Sequence, residues 1–117
     1  MIMIHVKFRK EGVHCFPEAS SNPQLSDVSF LGSPHFHYFY FELDVEVGHD
    51  NREIEFIQFC RWCEQLYADR TLQLDNKSCE MIAQELIDKV VEHYGQRKVR
   101  AKVLEDNING AIVTNWE

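Results

Sequence analysis

From Pro34 to Val47 hydrophobic and polar positions alternate without a break. His35, His37, Phe39, Phe41, Leu43, Val45 and Val47 fall on one face, and Phe36, Tyr38, Tyr40, Glu42, Asp44 and Glu46 on the other. A period of two over that length predicts a half-buried antiparallel strand ending near Gly48. Residues 2–10 alternate in the same way, with Ile2, Ile4, Val6 and Phe8 against Met3, His5, Lys7 and Arg9. This first strand runs on toward His14, which then shares a face with Ile4 and Phe8. Between the two strands, residues 17–34 are rich in Pro, Ser, Asn and Gly. A connection of that length inside a compact domain is usually functional.

The period then changes. After a turn at His49-Asp50-Asn51, residues 52–56 lead into a helix whose apolar positions are Phe56, Phe59, Cys60, Cys63 and Leu66. That spacing is an amphipathic stripe. A polar connection, 68–77, precedes a second helix. Ser78 is its predicted N-cap, and Glu80 stands in the first turn, where an anion suits the helix dipole. Ala83, Leu86, Ile87, Val90 and Tyr94 form its buried face, and Gly95 ends it. A third strand covers 97–105, a turn 107–110 and a fourth strand 111–116. The order is β-β-α-α-β-β, an α+β class with a four-stranded antiparallel sheet and two helices on one face. The second strand is acidic outward at 42, 44 and 46, and the third is basic at 98, 100 and 102. Antiparallel pairing of the two would alternate these charges across the ladder.

Bulk properties narrow the classes. The 117 residues suit one domain, 1–117, and the 44% hydrophobic and 26% charged content is that of a globular chain. A net charge of -7 argues against a general nucleic-acid surface. No apolar run approaches the ~20 residues of a membrane helix, and the opening residues do not read as a signal peptide. The expectation is a cytoplasmic protein with no membrane partner. Its four cysteines are then expected to be reduced. Cys60 and Cys63 form a lone C-x-x-C without the second pair of a zinc ribbon, and they are placed as core helix residues.

Three groups carry candidate chemistry. His35 and His37, two residues apart on one strand face, have Cα atoms about 6–7 Å apart, a workable spacing for two ligands on one cation. An H-x-H alone reads more simply as two partly exposed histidines. His14 on the preceding strand supplies a third imidazole, and three neutral imidazoles leave a fourth tetrahedral position open on zinc. Glu105 ends the third strand on the face of Val99, Ala101 and Val103. It either reaches solvent or accepts two N–H donors from an amidine or guanidine edge. Ser78 and Glu80 are the third group, with helix capping as the plainer role.

At these residues the chain resembles the 6-pyruvoyltetrahydropterin synthase and 6-carboxytetrahydropterin synthase family, over nearly its full length. Glu11-Gly12-Val13-His14-Cys15-Phe16-Pro17 resembles E-A-A-H-R-L-P, and His35-Phe36-His37 resembles H-G-H. Glu55-Phe56 is similar to the D-F that opens the first helix. Residues 76–83 resemble N-P-T-x-E-N-L-A, and Val103-Leu104-Glu105 resembles V-x-E. The resemblance implies a tunnelling fold whose subunits join edge to edge into a barrel, as a homotrimer or homohexamer. It implies Zn2+ on His14, His35 and His37. It also implies a pterin-like ligand anchored by Glu105, with Ser78 and Glu80 beside it. The activity implied is a lyase acting on dihydroneopterin triphosphate or a related pterin.

The departures are specific. Leu31 stands where the family carries its proton-transfer cysteine. Asp69-Arg70 is the nearest counterpart of the family's Asp-His pair, whose histidine has none. Met81 and Lys77 replace Asn and Pro. Cys15 adjoins His14, but strand alternation is expected to point it to the opposite face, and His49 is an unplaced reserve. The metal and ring-anchor residues are thus retained while the acid–base residues are not. That leaves two expectations: a pterin synthase-like lyase, or a metal- and ligand-binding oligomer without synthase chemistry. Aldol cleavage of dihydroneopterin, an activity of a related fold without a zinc triad, is a weaker third.

Overall fold

In a computed structural model describing residues 1–117, the chain is mixed α+β. Strand β1 (Ile2–His14) is followed by 3-10 turns at Pro17–Ser20 and Pro23–Gly32 and by strand β2 (His35–Val47). Helix α1 (Phe56–Gln65), strand β3 (Leu72–Gln73), helix α2 (Cys79–Tyr94), β4 (Val99–Glu105) and β5 (Asn109–Thr114) complete the chain. The sheet order is β3-β1-β2-β4-β5. β1, β2, β4 and β5 pair antiparallel, as their alternation predicts.

Two expectations about the strands are corrected. The sheet has five strands rather than four, because Leu72 and Gln73, in the supposed polar connection, pair parallel with Gly12 and Val13. Leu72 and Leu74 are buried there, and the gain from covering them outweighs the polar character of their neighbours. The turn before β5 is Asp106–Ile108, so Asn109 and Gly110 belong to the strand. Asp106 and Asn107 hold φ of 53° and 59°, a region that Asp and Asn enter more readily than most residues. The sheet is open within one chain.

One face of the sheet carries the core. Phe39, Phe41, Leu43 and Val45 of β2 are almost fully buried, in one cluster with Phe59 and Cys63 of α1 and Ile82, Leu86 and Val90 of α2. Phe8 and Phe41 stack with ring centroids 4.6 Å apart. Phe56, assigned to the buried stripe of α1, is instead 57% exposed, because it opens the helix beyond the sheet-facing stripe. Glu55 caps α1 by accepting from the Ile57 and Gln58 amides, and Ser78 caps α2 by accepting from the Met81 amide at 3.1 Å. Gly95, at φ 90°, ends α2.

The opposite face is charged. Glu42 lies opposite Lys102 and Asp44 opposite Arg100 in the β2–β4 register. Lys102 Nζ is 3.3 Å from Glu42 Oε2, and Arg100 Nη1 donates to Asp44 Oδ2 at 3.0 Å. The third expected pair is replaced: Glu46 accepts from the Lys98 amide.

Candidate metal centre

The site forms where β1 ends and β2 begins. His14 and His35 are the last residue pair of the β1–β2 register, and Gly12 faces His37. Glu105, at the end of β4, lies opposite Phe39 and so beside His37 on the same sheet face. The register therefore delivers three imidazoles and one carboxylate to one end of the buried face. The imidazole centroids are 4.6 Å (His14–His35), 5.0 Å (His35–His37) and 5.5 Å (His14–His37) apart. One nitrogen from each ring lies within 4.8 Å of one from each of the others. Phe39 closes the floor, edge-on to His14 and His37.

The second nitrogen of each ring decides which one is free. His14 Nδ1 is 2.8 Å from the Lys77 carbonyl oxygen and His35 Nδ1 is 2.8 Å from that of Ser33. A carbonyl only accepts, so each Nδ1 carries the proton and donates. His37 Nδ1 donates to Asp106 Oδ2 at 2.7 Å. Asp106 is held as an acceptor: its carboxyl lies below the usual carboxylate range, chiefly through the hydrogen bond from His37 and secondarily that from the Tyr38 amide. Nε2 is then the nitrogen of each ring left for a further partner. Those of His14 and His37 are buried with no hydrogen-bond partner. Buried polar atoms are rarely left unsatisfied. An orphaned pair in one cluster suits a cation, and the imidazole set suits zinc. Outer partners that fix the ring tautomer, here two carbonyls and Asp106, are the usual companions of metal-bound histidine.

A cleft of about 490 Å³ opens beside the imidazoles, lined by His14, His35, Glu105 and Cys79 and by Cys15 and Leu31 from the long connection. Ser78 and Glu80 also border it, though the Ser78 hydroxyl is engaged in capping α2. The Cys79 Sγ donates toward Glu105 Oε1 at 3.8 Å. Burial, reinforced by Glu105, pushes the Cys79 thiol up to about 12, so it stays protonated. Cys15 lies one residue past the end of β1, and the strand alternation expected to turn it away no longer applies.

Other expectations fall outside the site. His49 lies beyond the far end of β2, where its Nδ1 accepts from the Asn51 amide. Asp69 and Arg70 do not line the cleft. Cys63 is buried and Cys60 half-buried in α1. Sequence reasoning missed Asp106, whose one available signal is a second acid after Glu105 at a turn. It also missed the carbonyl acceptors, which no side-chain pattern announces. No helix is long and apolar enough to cross a membrane. No protein-family profile matches the chain, and no curated protein does.

Proposed function

We propose that this chain is a zinc-binding protein of the pterin synthase type. Its metal ligands are His14, His35 and His37, and its cleft receives a pterin-like heterocycle. The observation that carries this is the trio of imidazoles with Nδ1 engaged and Nε2 free, two of them buried and unpartnered. Glu105 would accept from the amidine edge of the ring, and Ser78 and Glu80 stand at the cleft rim. Bound zinc would supply Lewis-acid polarisation of substrate oxygens. The chain's own part is to orient the ligand in the cleft against Glu105 and to hold the imidazole tautomers. Cytoplasmic location and a trimeric or hexameric barrel built through the open sheet edges complete the proposal, since exposed edges favour closure.

A second reading has its own support. Leu31 lines the cleft where the family resemblance calls for a thiol, and the Cys79 thiol is too basic for ready proton abstraction at neutral pH. A positioned base contributes about 10²–10⁴ in rate. A metal- and ligand-binding oligomer without synthase turnover is therefore the alternative. Incubation with dihydroneopterin triphosphate separates the two: turnover above a metal-stripped control supports the lyase, and none leaves the binding protein. Elemental analysis tests the shared premise. One zinc per chain is expected, falling to a small fraction in His37→Ala, and full occupancy in the variant would refute the triad.

A further inference from the structure

The Glu105 carboxylate straddles two of the imidazoles. Its Oε1 is 3.1 Å from His14 Nε2 and its Oε2 is 3.3 Å from His37 Nε2. Neither contact is a hydrogen bond, since both nitrogens lack a partner of acceptable geometry. At such short separations, that means the oxygens lie off the in-plane axis of each ring nitrogen. Each of these two rings already spends its Nδ1 proton on its own acceptor, so Nε2 is the nitrogen a cation would use. Two buried nitrogens without a hydrogen-bond partner and both oxygens of one carboxylate thus converge on one point, the donor set a cation would satisfy. The spacing is informative. Donor atoms around a tetrahedral zinc with bonds of 2.0–2.1 Å stand about 3.3 Å apart.

We infer that Glu105 is a fourth protein ligand of the metal in the ligand-free protein. The inference rests on the three-histidine site proposed above and deepens it. Four protein ligands close a zinc site, whereas three leave a position open. Glu105 has two competing engagements: the cation, and the amidine edge of an incoming heterocycle. One carboxylate cannot fully serve both. Entry of such a ligand draws Glu105 away and frees a coordination position at the moment there is something to occupy it. The thiol of Cys79, donating toward Oε1, holds the carboxylate in its metal-facing position until then.

Co2+ loaded in place of zinc into the full chain provides the test, through its visible absorption and its affinity in competition with a chelator. Glu105→Gln is expected to shift the visible bands and to weaken binding more than 100-fold. That exceeds the 10–100-fold typical for loss of an outer partner such as Asp106. Neopterin added to the unmutated protein is expected to move the bands toward those of the variant. Unchanged bands and affinity within tenfold in Glu105→Gln, with one metal per wild-type chain, would overturn the inference and leave the histidine site standing. Failure of the wild-type chain to bind Co2+ or zinc stoichiometrically would instead remove the site itself. Should the variant not fold, water-proton relaxation by the wild-type Co2+ protein decides. No exchangeable water on the metal is expected, and a bound one overturns the inference.

Discussion

The Lys77 carbonyl, the Ser33 carbonyl and the Asp106 carboxylate each take one N–H from a histidine, and in doing so aim the other nitrogen of each ring. The three restraints differ in strength. The two carbonyls are fixed by backbone, whereas Asp106 is a side chain at the start of an exposed turn. Asp106→Asn removes the charge behind His37 and offers an amide that can orient either way. Zinc affinity is expected to fall about 10–100-fold. Isothermal titration of the metal-stripped variant against wild type measures it, and an unchanged affinity would show that His37 is held by Phe39 and the sheet alone. The histidines themselves were legible from alternation, because a strand of period two places positions 35 and 37 on one face with no further information. The partners of Nδ1 were not. Two are main-chain atoms brought in by loops, and the identity of the residue carrying a carbonyl leaves no trace in a hydrophobicity pattern.

At the level of elements, charge complementarity predicted which strands are neighbours, and the register bears it out at Glu42–Lys102 and Asp44–Arg100. Reversal at one rung is the direct test. Lys102→Glu places like charges opposite each other and is expected to cost about 1 kcal/mol, read as a lower urea midpoint. Asp44 adds a pH dependence. Partial burial pushes its carboxyl up, but hydrogen bonds from His5 and Arg100 together outweigh that and hold it below its ordinary value. A carboxyl lowered on folding stabilises the native state above the unfolded value near 3.9, and that contribution is lost as pH falls through the lower folded value. Arg100→Ala should therefore cost roughly a few tenths of a kcal/mol at neutral pH, read as a lower urea midpoint, with the difference shrinking below about pH 4. A gap that widens on acidification would contradict the sign. β3 escaped prediction for a physical reason. Two residues carry no measurable period, and their pairing is set by burial of Leu72 and Leu74 against a sheet edge already in place.

For the whole molecule, the three histidines proposed as metal ligands come from both β1 and β2, and Glu105 reaches the same point from β4. A cation bound there adds to native stability and has little counterpart in the unfolded chain, so stabilisation grows with free metal above the dissociation constant. Stripping zinc with a chelator is expected to lower Tm by several degrees, with restoration on readdition. Scanning calorimetry of wild type and His37→Ala checks it, and the variant should show no metal-dependent change. The mixed α+β class and the order of the four long strands and two α-helices followed from the alternating and helical periods. The five-stranded count did not.

The last rung of the β1–β2 ladder, His14 against His35, has one more consequence. The two strands are joined by a segment of some twenty residues rather than a tight turn, so no two-residue turn geometry sets how they line up. A slip of one residue would turn one strand's inward side chains outward and scatter the imidazoles to opposite surfaces. A cation able to bind only the aligned arrangement would thus act as a proofreader of strand alignment, rewarding the correct pairing.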